Sequence, residues 1–183
     1  MLVIKKVALI SAMLIFAFTL SLTCLAFTEV HEYVIDNDET DPDDIGIYTS
    51  QYGFDEIITS TYLYNGDARA HTTVDQSFYT YDYNWYFPSY TRSSGMKVHL
   101  RVYLRNAQFN DPSAKYSVSS TGSSYHVSTI NQDTATIGWN DLGTITINNN
   151  FTANHVTLTP SNHVESGTTF KCGADAIDVT LGY

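Results

Sequence analysis

The chain has 183 residues and a formal net charge of −10 at pH 7, with nine Lys plus Arg against nineteen Asp plus Glu, and 14% of it is aromatic. So acidic a chain lacks the basic face that a nucleic-acid backbone demands. On average it also repels acidic polysaccharide, although a local patch around Lys97, Arg101 and Arg105 can override that mean, whereas neutral glycans remain compatible.

At the N-terminus, Lys5 and Lys6 form a short basic region, and Val7 to Leu22 is apolar apart from Ser11, Thr19 and Ser21. Cys24-Leu25-Ala26 then offers small residues where a signal peptidase inspects the chain. This predicts a secretory signal over residues 1–26, cut after Ala26, and one secreted, extracellular domain over residues 27–183. Two other readings compete. An uncleaved anchor is one, because the apolar run approaches the length of a bilayer span; lipidation of Cys24 is the other, which Leu22 and Thr23 suit poorly. Cleavage removes the two positive charges of Lys5 and Lys6, taking the formal charge from −10 to −12, and leaves no membrane span. It also leaves Cys172 as the only cysteine, so no intramolecular disulfide forms and stability must come from the core. With no His or Asn in a catalytic context beside it, Cys172 reads as a small buried hydrophobe.

From Glu29 onward the chain shows strands and turns and almost no helical period. Alternation is clearest at Val98-Leu100-Val102-Leu104, at Ile145-Ile147 and at Val156-Leu158. Asn65-Gly66, Asp111-Pro112, Thr121-Gly122, Asn148-Asn149-Asn150 and Ser166-Gly167 punctuate these runs with turn chemistry. Such spacing predicts an all-β, antiparallel β-sandwich, jelly-roll-like, rather than alternating β and α units. Val98, Leu100, Val102, Leu104, Trp139, Ile145, Ile147, Ile177, Val179 and Leu181 are its expected core. Ser117 to Thr129 reads as a polar-faced hairpin. Between Asp38 and Pro88 the apolar residues Phe54, Ile57, Ile58, Tyr62 and Leu63 need burial but fit neither period, so irregular strands and loops are expected there. Near the C-terminus Asp175 shares its parity with Ile177, Val179 and Leu181, which aims a carboxylate inward; burying it demands hydrogen bonds, a cation or protonation.

Three groupings can carry chemistry. The run Phe78 to Tyr90 is dense in aromatics beside Asp82 and Asn84, and a sugar ring stacks its C–H face on an aromatic plane while such polar groups bind its hydroxyls. Strands also favour aromatics for packing alone, and alternation puts Tyr79, Tyr81, Tyr83, Trp85 and Phe87 on one parity. Trp85 therefore reads as core, and Asn84, Tyr86 and Tyr90 as the ligand-binding residues. The acidic run Asp36 to Asp44 has oxygen ligands suited to Ca²⁺ but lacks an EF-hand pattern, so a solvated acidic loop is expected, with no metal and no cofactor. The histidines His31, His71, His99, His126, His155 and His163 show no metal-ligand spacing, though His71 lies near Asp67 and Asp75 in sequence; no nucleophile motif or phosphate-cradling loop occurs. Nothing here predicts an enzyme.

Val34-Ile35-Asp36-Asn37-Asp38, Gly95 to Leu104, Lys115 to Val118, Trp139 to Ile147 and Ala174 to Leu181, in that order and spacing, make the chain resemble the golvesin-type domain, also called the golvesin and xanthan-lyase carbohydrate-binding-like domain. The resemblance covers nearly all of residues 27–183 and departs from the family between Gly46 and Pro88, where Ile45-Gly46-Ile47-Tyr48 stands in place of a Gly-x-Trp pair. It implies a secreted, non-catalytic module that binds glycans or extracellular polysaccharide. A structural or adhesive extracellular protein without sugar affinity is the alternative, and a small hydrolase or lyase the third reading.

Overall fold

The computed structural model of the chain describes residues 28–38, 48–73, 81–105, 107–161 and 169–183. The signal-like segment, residues 39–44 of the acidic run, Phe78 to Thr80 and His163 lie outside the described residues. In chain order the elements are β1 (Glu29–Ile35), β2 (Tyr48–Tyr52), β3 (Glu56–Thr59), a 3-10 turn (Tyr64–Gly66), β4 (Asp67–Thr73), β5 (Asp82–Arg92), β6 (Met96–Leu104), β7 (Ala114–Ser120), β8 (Ser123–Ile130), β9 (Gly138–Ile147), β10 (Phe151–Thr159), β11 (Phe170–Ala174) and β12 (Ile177–Gly182). They form a four-stranded sheet ordered β1-β12-β6-β9, a five-stranded sheet ordered β2-β5-β10-β7-β8 and a three-stranded sheet ordered β11-β4-β3. The pairings are antiparallel. The architecture is an all-β sandwich, as the strand and turn pattern predicts.

Local chemistry explains the elements. In β6 every second residue from Met96 to Leu104 is buried, while Lys97, His99, Arg101 and Tyr103 face out, the period of two that a half-buried strand requires. The β7–β8 hairpin turns at Thr121-Gly122, where Gly122 takes φ +87, a left-handed conformation that costs glycine nothing. The segment expected to be irregular holds β2, β3 and β4, all short. Phe54, Ile58 and Leu63 are buried there, whereas Ile57 and Tyr62 are 55% and 57% exposed, because each lies beside a buried neighbour in an extended or turning chain and points the other way.

One core joins the inner faces. The five-stranded sheet contributes Tyr83, Trp85, Phe87, Tyr116, Val118, Val156 and Leu158, and Tyr33 of β1 stacks on Phe87 at 5.4 Å across the interface. Cys172 is fully buried among these groups, and burial pushes its thiol well up, which leaves it inert. Eight of the ten expected core residues are buried. Ile145 is partly buried against the core, and Trp139 is turned outward. The reason is a register shift opposite Leu100 and Arg101, centred on Gly143 at φ +86, which inserts an extra residue into β9 and inverts its alternation.

The passage from β11 to β12 carries the chain from the three-stranded to the four-stranded sheet through Asp175 and Ala176. Asp175 is fully buried, as expected, although here the corner and not the alternation buries it, since Ala176 and Asp178 on the other parity are buried as well. Its Oδ2 accepts the Tyr64 N–H at 3.2 Å, its backbone O accepts Trp85 Nε1 at 3.2 Å, and its Oδ1 has no donor. Burial, opposed by the Tyr64 N–H and reinforced by Asp36 and Asp67, pushes the carboxyl up to about 8, so it is neutral at pH 7.

Two measurements check this description. Gly173 leaves no room for a side chain: a Cβ there meets the Phe109 ring at 2.1 Å, and Gln132 clamps the same residue through its N–H (2.9 Å) and its C=O (3.0 Å). Gly173→Ala should therefore lose roughly 1–3 kcal/mol in urea unfolding; unchanged stability would show that Phe109 yields freely. For Asp175 the raised folded-state value means that the folded protein holds a proton that the unfolded chain releases near pH 4. Its contribution is fully present below that pH and is lost as pH rises towards 8, by up to about 1.4 kcal/mol per unit. Asp175→Asn, neutral throughout, should flatten that slope; parallel slopes for the two proteins between pH 4 and 8 contradict the assignment.

Candidate functional site

Paired residues of antiparallel strands share a face, so register fixes what the outer face of the five-stranded sheet presents. Tyr86, His155 and Ser119 form one row, Asn84, Thr157 and Ser117 the next, and Asp82, Thr159 and Lys115 a third. On the other side of β5, β2 sets Ser50 beside Asn84 and Tyr52 beside Asp82. Asn84 and Tyr86 thus fall on one outward face, two residues apart.

The Tyr86 and His155 rings stack with centroids 4.9 Å apart and planes at 30°. Burial lowers the His155 pKa, opposed in part by Asp82, so the imidazole is neutral at pH 7. Its Nδ1 lies 2.6 Å from Asn154 Oδ1, which assigns the proton to Nδ1 and leaves Nε2 as an acceptor. In the next row Thr157 Oγ1 donates to Asn84 Oδ1 at 2.8 Å and lies 3.2 Å from Ser119 Oγ. Asn84 is thereby held with its amide nitrogen free of any acceptor among the described residues. In the third row Thr159 Oγ1 donates to Asp82 Oδ1 at 3.0 Å. Tyr52, 60% exposed, lies beside that row. Four residues along β5, at about 3.3 Å each, separate the Tyr52 row from the Tyr86 row, so the ringed ends of the face stand ~13 Å apart. The face therefore offers stacking planes, donors and acceptors over the length of a short oligosaccharide.

Tyr90 is placed elsewhere. The register between β5 and β10 shifts between Ala153 and His155, and beyond it Tyr90 pairs with the buried Ala153. Tyr90 packs against the core and meets the His31 ring edge-on at 5.2 Å. Pro88, which cannot donate to the ladder, sits in the break. The structure brings Asn84 and Tyr86 together and separates Tyr90 from them. His155, Thr157 and Tyr52 join the face through long-range register, which no local pattern in the sequence records.

The other groupings resolve differently. Asp36 and Asn37 are buried, not part of a solvated loop: the Asp36 carboxyl accepts the Asn37 N–H at 2.8 Å and Asn65 Nδ2 at 2.6 Å, and burial raises its pKa. Among the described residues no three His, Cys, Asp or Glu side chains converge to hold a metal ion. His71 is buried, sets Nδ1 2.7 Å from the Gly53 carbonyl and stacks on Tyr81 at 4.0 Å, an arrangement of packing, while Asp75 lies outside the described residues.

The sequence matches no family model and no curated protein, so the golvesin-type resemblance rests on the residues quoted above. Among solved structures the chain is similar to a variant of a family 29 carbohydrate-binding module complexed with cellulohexaose, at 11% identity and a TM-score of 0.43 over 85% of this chain and 92% of that one. It is similar to another variant of that module at 13% identity and a TM-score of 0.40 over 84% and 92% of the two chains. A truncated protein with a family 32 carbohydrate-binding module and an alginate lyase domain matches at 11% identity and 0.40, over 75% of this chain and 34% of that one. Likeness this distant carries no argument for what the chain binds.

Proposed function

We propose that the chain is a secreted, non-catalytic module that binds neutral glycan along the outer face of its five-stranded sheet, in keeping with what the golvesin-type resemblance implies. The observation that carries this reading is the Tyr86–His155 stack set beside Asn84, whose Oδ1 is already occupied by Thr157. The stacked rings offer an apolar plane to a pyranose. Asn84 Nδ2 supplies a donor and neutral His155 Nε2 an acceptor to the hydroxyls at its edge. The formal charge, −10 for the full chain and −12 once Lys5 and Lys6 are removed, is no obstacle to an uncharged ligand. Aromatic pairing adds only ~0.5–1.5 kcal/mol beyond the area buried, so affinity is modest and is set by stacking more than by any one hydrogen bond.

Isothermal titration of the purified protein with neutral oligosaccharides tests the site. Tyr86→Ala should weaken binding about tenfold, a loss of ~1.4 kcal/mol, with little change in melting temperature. Tyr90→Ala should do the reverse and cost roughly 1–3 kcal/mol of stability at nearly unchanged affinity. Absence of retention by every neutral glycan offered sinks the reading and leaves a structural or adhesive protein in its place. Export has its own check: N-terminal sequencing of the exported protein should begin at Phe27, and recovery of an intact Met1 would exclude cleavage.

A further inference from the structure

The outer face of the four-stranded sheet carries a different chemistry. Tyr103 of β6 and Trp139 of β9 are paired neighbours whose rings meet edge-to-face at 5.4 Å, and Tyr64 of the 3-10 turn closes edge-on against each at 5.6 Å. Arg101 lies 5.5 Å over Trp139, and its charge is answered by the buried Asp178. Arg105, two residues beyond Tyr103, lies 4.5 Å over the exposed Tyr62 ring and donates to Ser60 Oγ. Among the described residues it has no carboxylate partner. Packing accounts for why the rings touch. It does not account for a guanidinium that no carboxylate of the described residues neutralises, in a chain where acids outnumber bases nineteen to nine.

The geometry points to a second glycan site at this end of the four-stranded sheet, for a sugar that carries a carboxylate. A pyranose ring stacks on the open side of the Trp139–Tyr103–Tyr64 cluster, and its carboxylate meets the Arg105 fork, whose paired N–H donors match carboxylate geometry. Tyr62 and Ser60 hold that fork in place in advance, so little side-chain entropy is lost on binding. Asp141, the next outward position of β9 after Trp139, and Glu32 on β1 carry negative charge on the rest of this sheet face, which confines an anionic ligand to the Arg105 end. The site lies on the opposite side of the sandwich from Tyr86 and does not depend on the neutral-glycan face.

The two tryptophans separate the sites optically. Trp85 is fully buried beneath the five-stranded sheet, and Trp139 is partly exposed on the other, so acrylamide quenching reports on Trp139. Trigalacturonate should shield Trp139 from acrylamide, with the signal lost in Trp139→Phe and weakened by salt. Arg105→Ala should lower trigalacturonate affinity at least tenfold, Arg105→Lys should retain part of it, and Tyr86→Ala should leave it unchanged. Xylotriose should not shield Trp139. The inference is overturned if trigalacturonate fails to shield Trp139 at millimolar concentration, if Arg105→Ala binds as well as wild type, if xylotriose shields equally, or if Tyr86→Ala abolishes trigalacturonate binding. Only the last of these outcomes bears on the neutral-glycan face, by merging the two sites into one.

Discussion

Asp175 and Ala176 form the corner on which the three sheets hang. The Asp175 carbonyl accepts the Trp85 indole N–H from the five-stranded sheet, its carboxyl accepts the Tyr64 N–H from the 3-10 turn, and the Ala176 carbonyl accepts the Tyr103 N–H from the four-stranded sheet at 2.9 Å. No hydrophobic residue could make the contact to Tyr64. A charged carboxylate here would cost far more than that contact returns, because burial strips its hydration and Asp36 and Asp67 lie within electrostatic reach. Keeping the proton resolves the conflict, and a neutral carboxyl holds the turn that presents Tyr64 to Trp139 and Tyr103.

Which side chains each outer face displays is then decided by two breaks in alternation. A strand's faces swap whenever one residue is inserted, so a local irregularity re-aims everything beyond it. In β5 the break at Pro88 keeps Asn84 and Tyr86 outward and turns Tyr90 in; in β9 the break at Gly143 turns Trp139 out. The inner face tolerates both because Ala153, opposite the inward Tyr90, is small, and buried Leu142 takes up the space that the outward Trp139 leaves.

These breaks also mark how much was legible in the sequence. The β6 core and the Asn84–Tyr86 pair were legible because they sit on uninterrupted alternation; Asp175 is buried as expected, but by the corner before β12, where Ala176 and Asp178 on the other parity are buried too. Tyr90 and Trp139 were not legible, since parity counted across Pro88 or across Gly143 gives the wrong face. Both signals stood in the chain: a proline and a glycine inside strands each announce a bulge. His155 and Thr157 belong to another class. Their place beside Tyr86 and Asn84 follows from a pairing 69 to 73 residues distant in sequence, and local periodicity holds no information about that register.

The two faces stand back to back across a packed core, and this has a consequence for how they act together. Stacked sheets lie about 10 Å apart, and the interior between them is filled by Trp85, Tyr83, Tyr116 and Phe87 at close packing. Such a core does not transmit a small shift from one face to the other unless it has a second arrangement to adopt, and nothing in these fully buried rings offers one. Occupancy of one face should therefore leave affinity at the other unchanged. Nor can one short oligosaccharide reach both, since it would have to pass around the sheet edge. A gain from having two sites comes only when separate glycan chains, or distant parts of one long chain, are held at once. The effective concentration of the second partner is then set by the spacing of the polymer and not by the protein. If both proposed faces hold glycan, the domain would bridge polysaccharides of unlike charge, neutral on one side and carboxylated on the other.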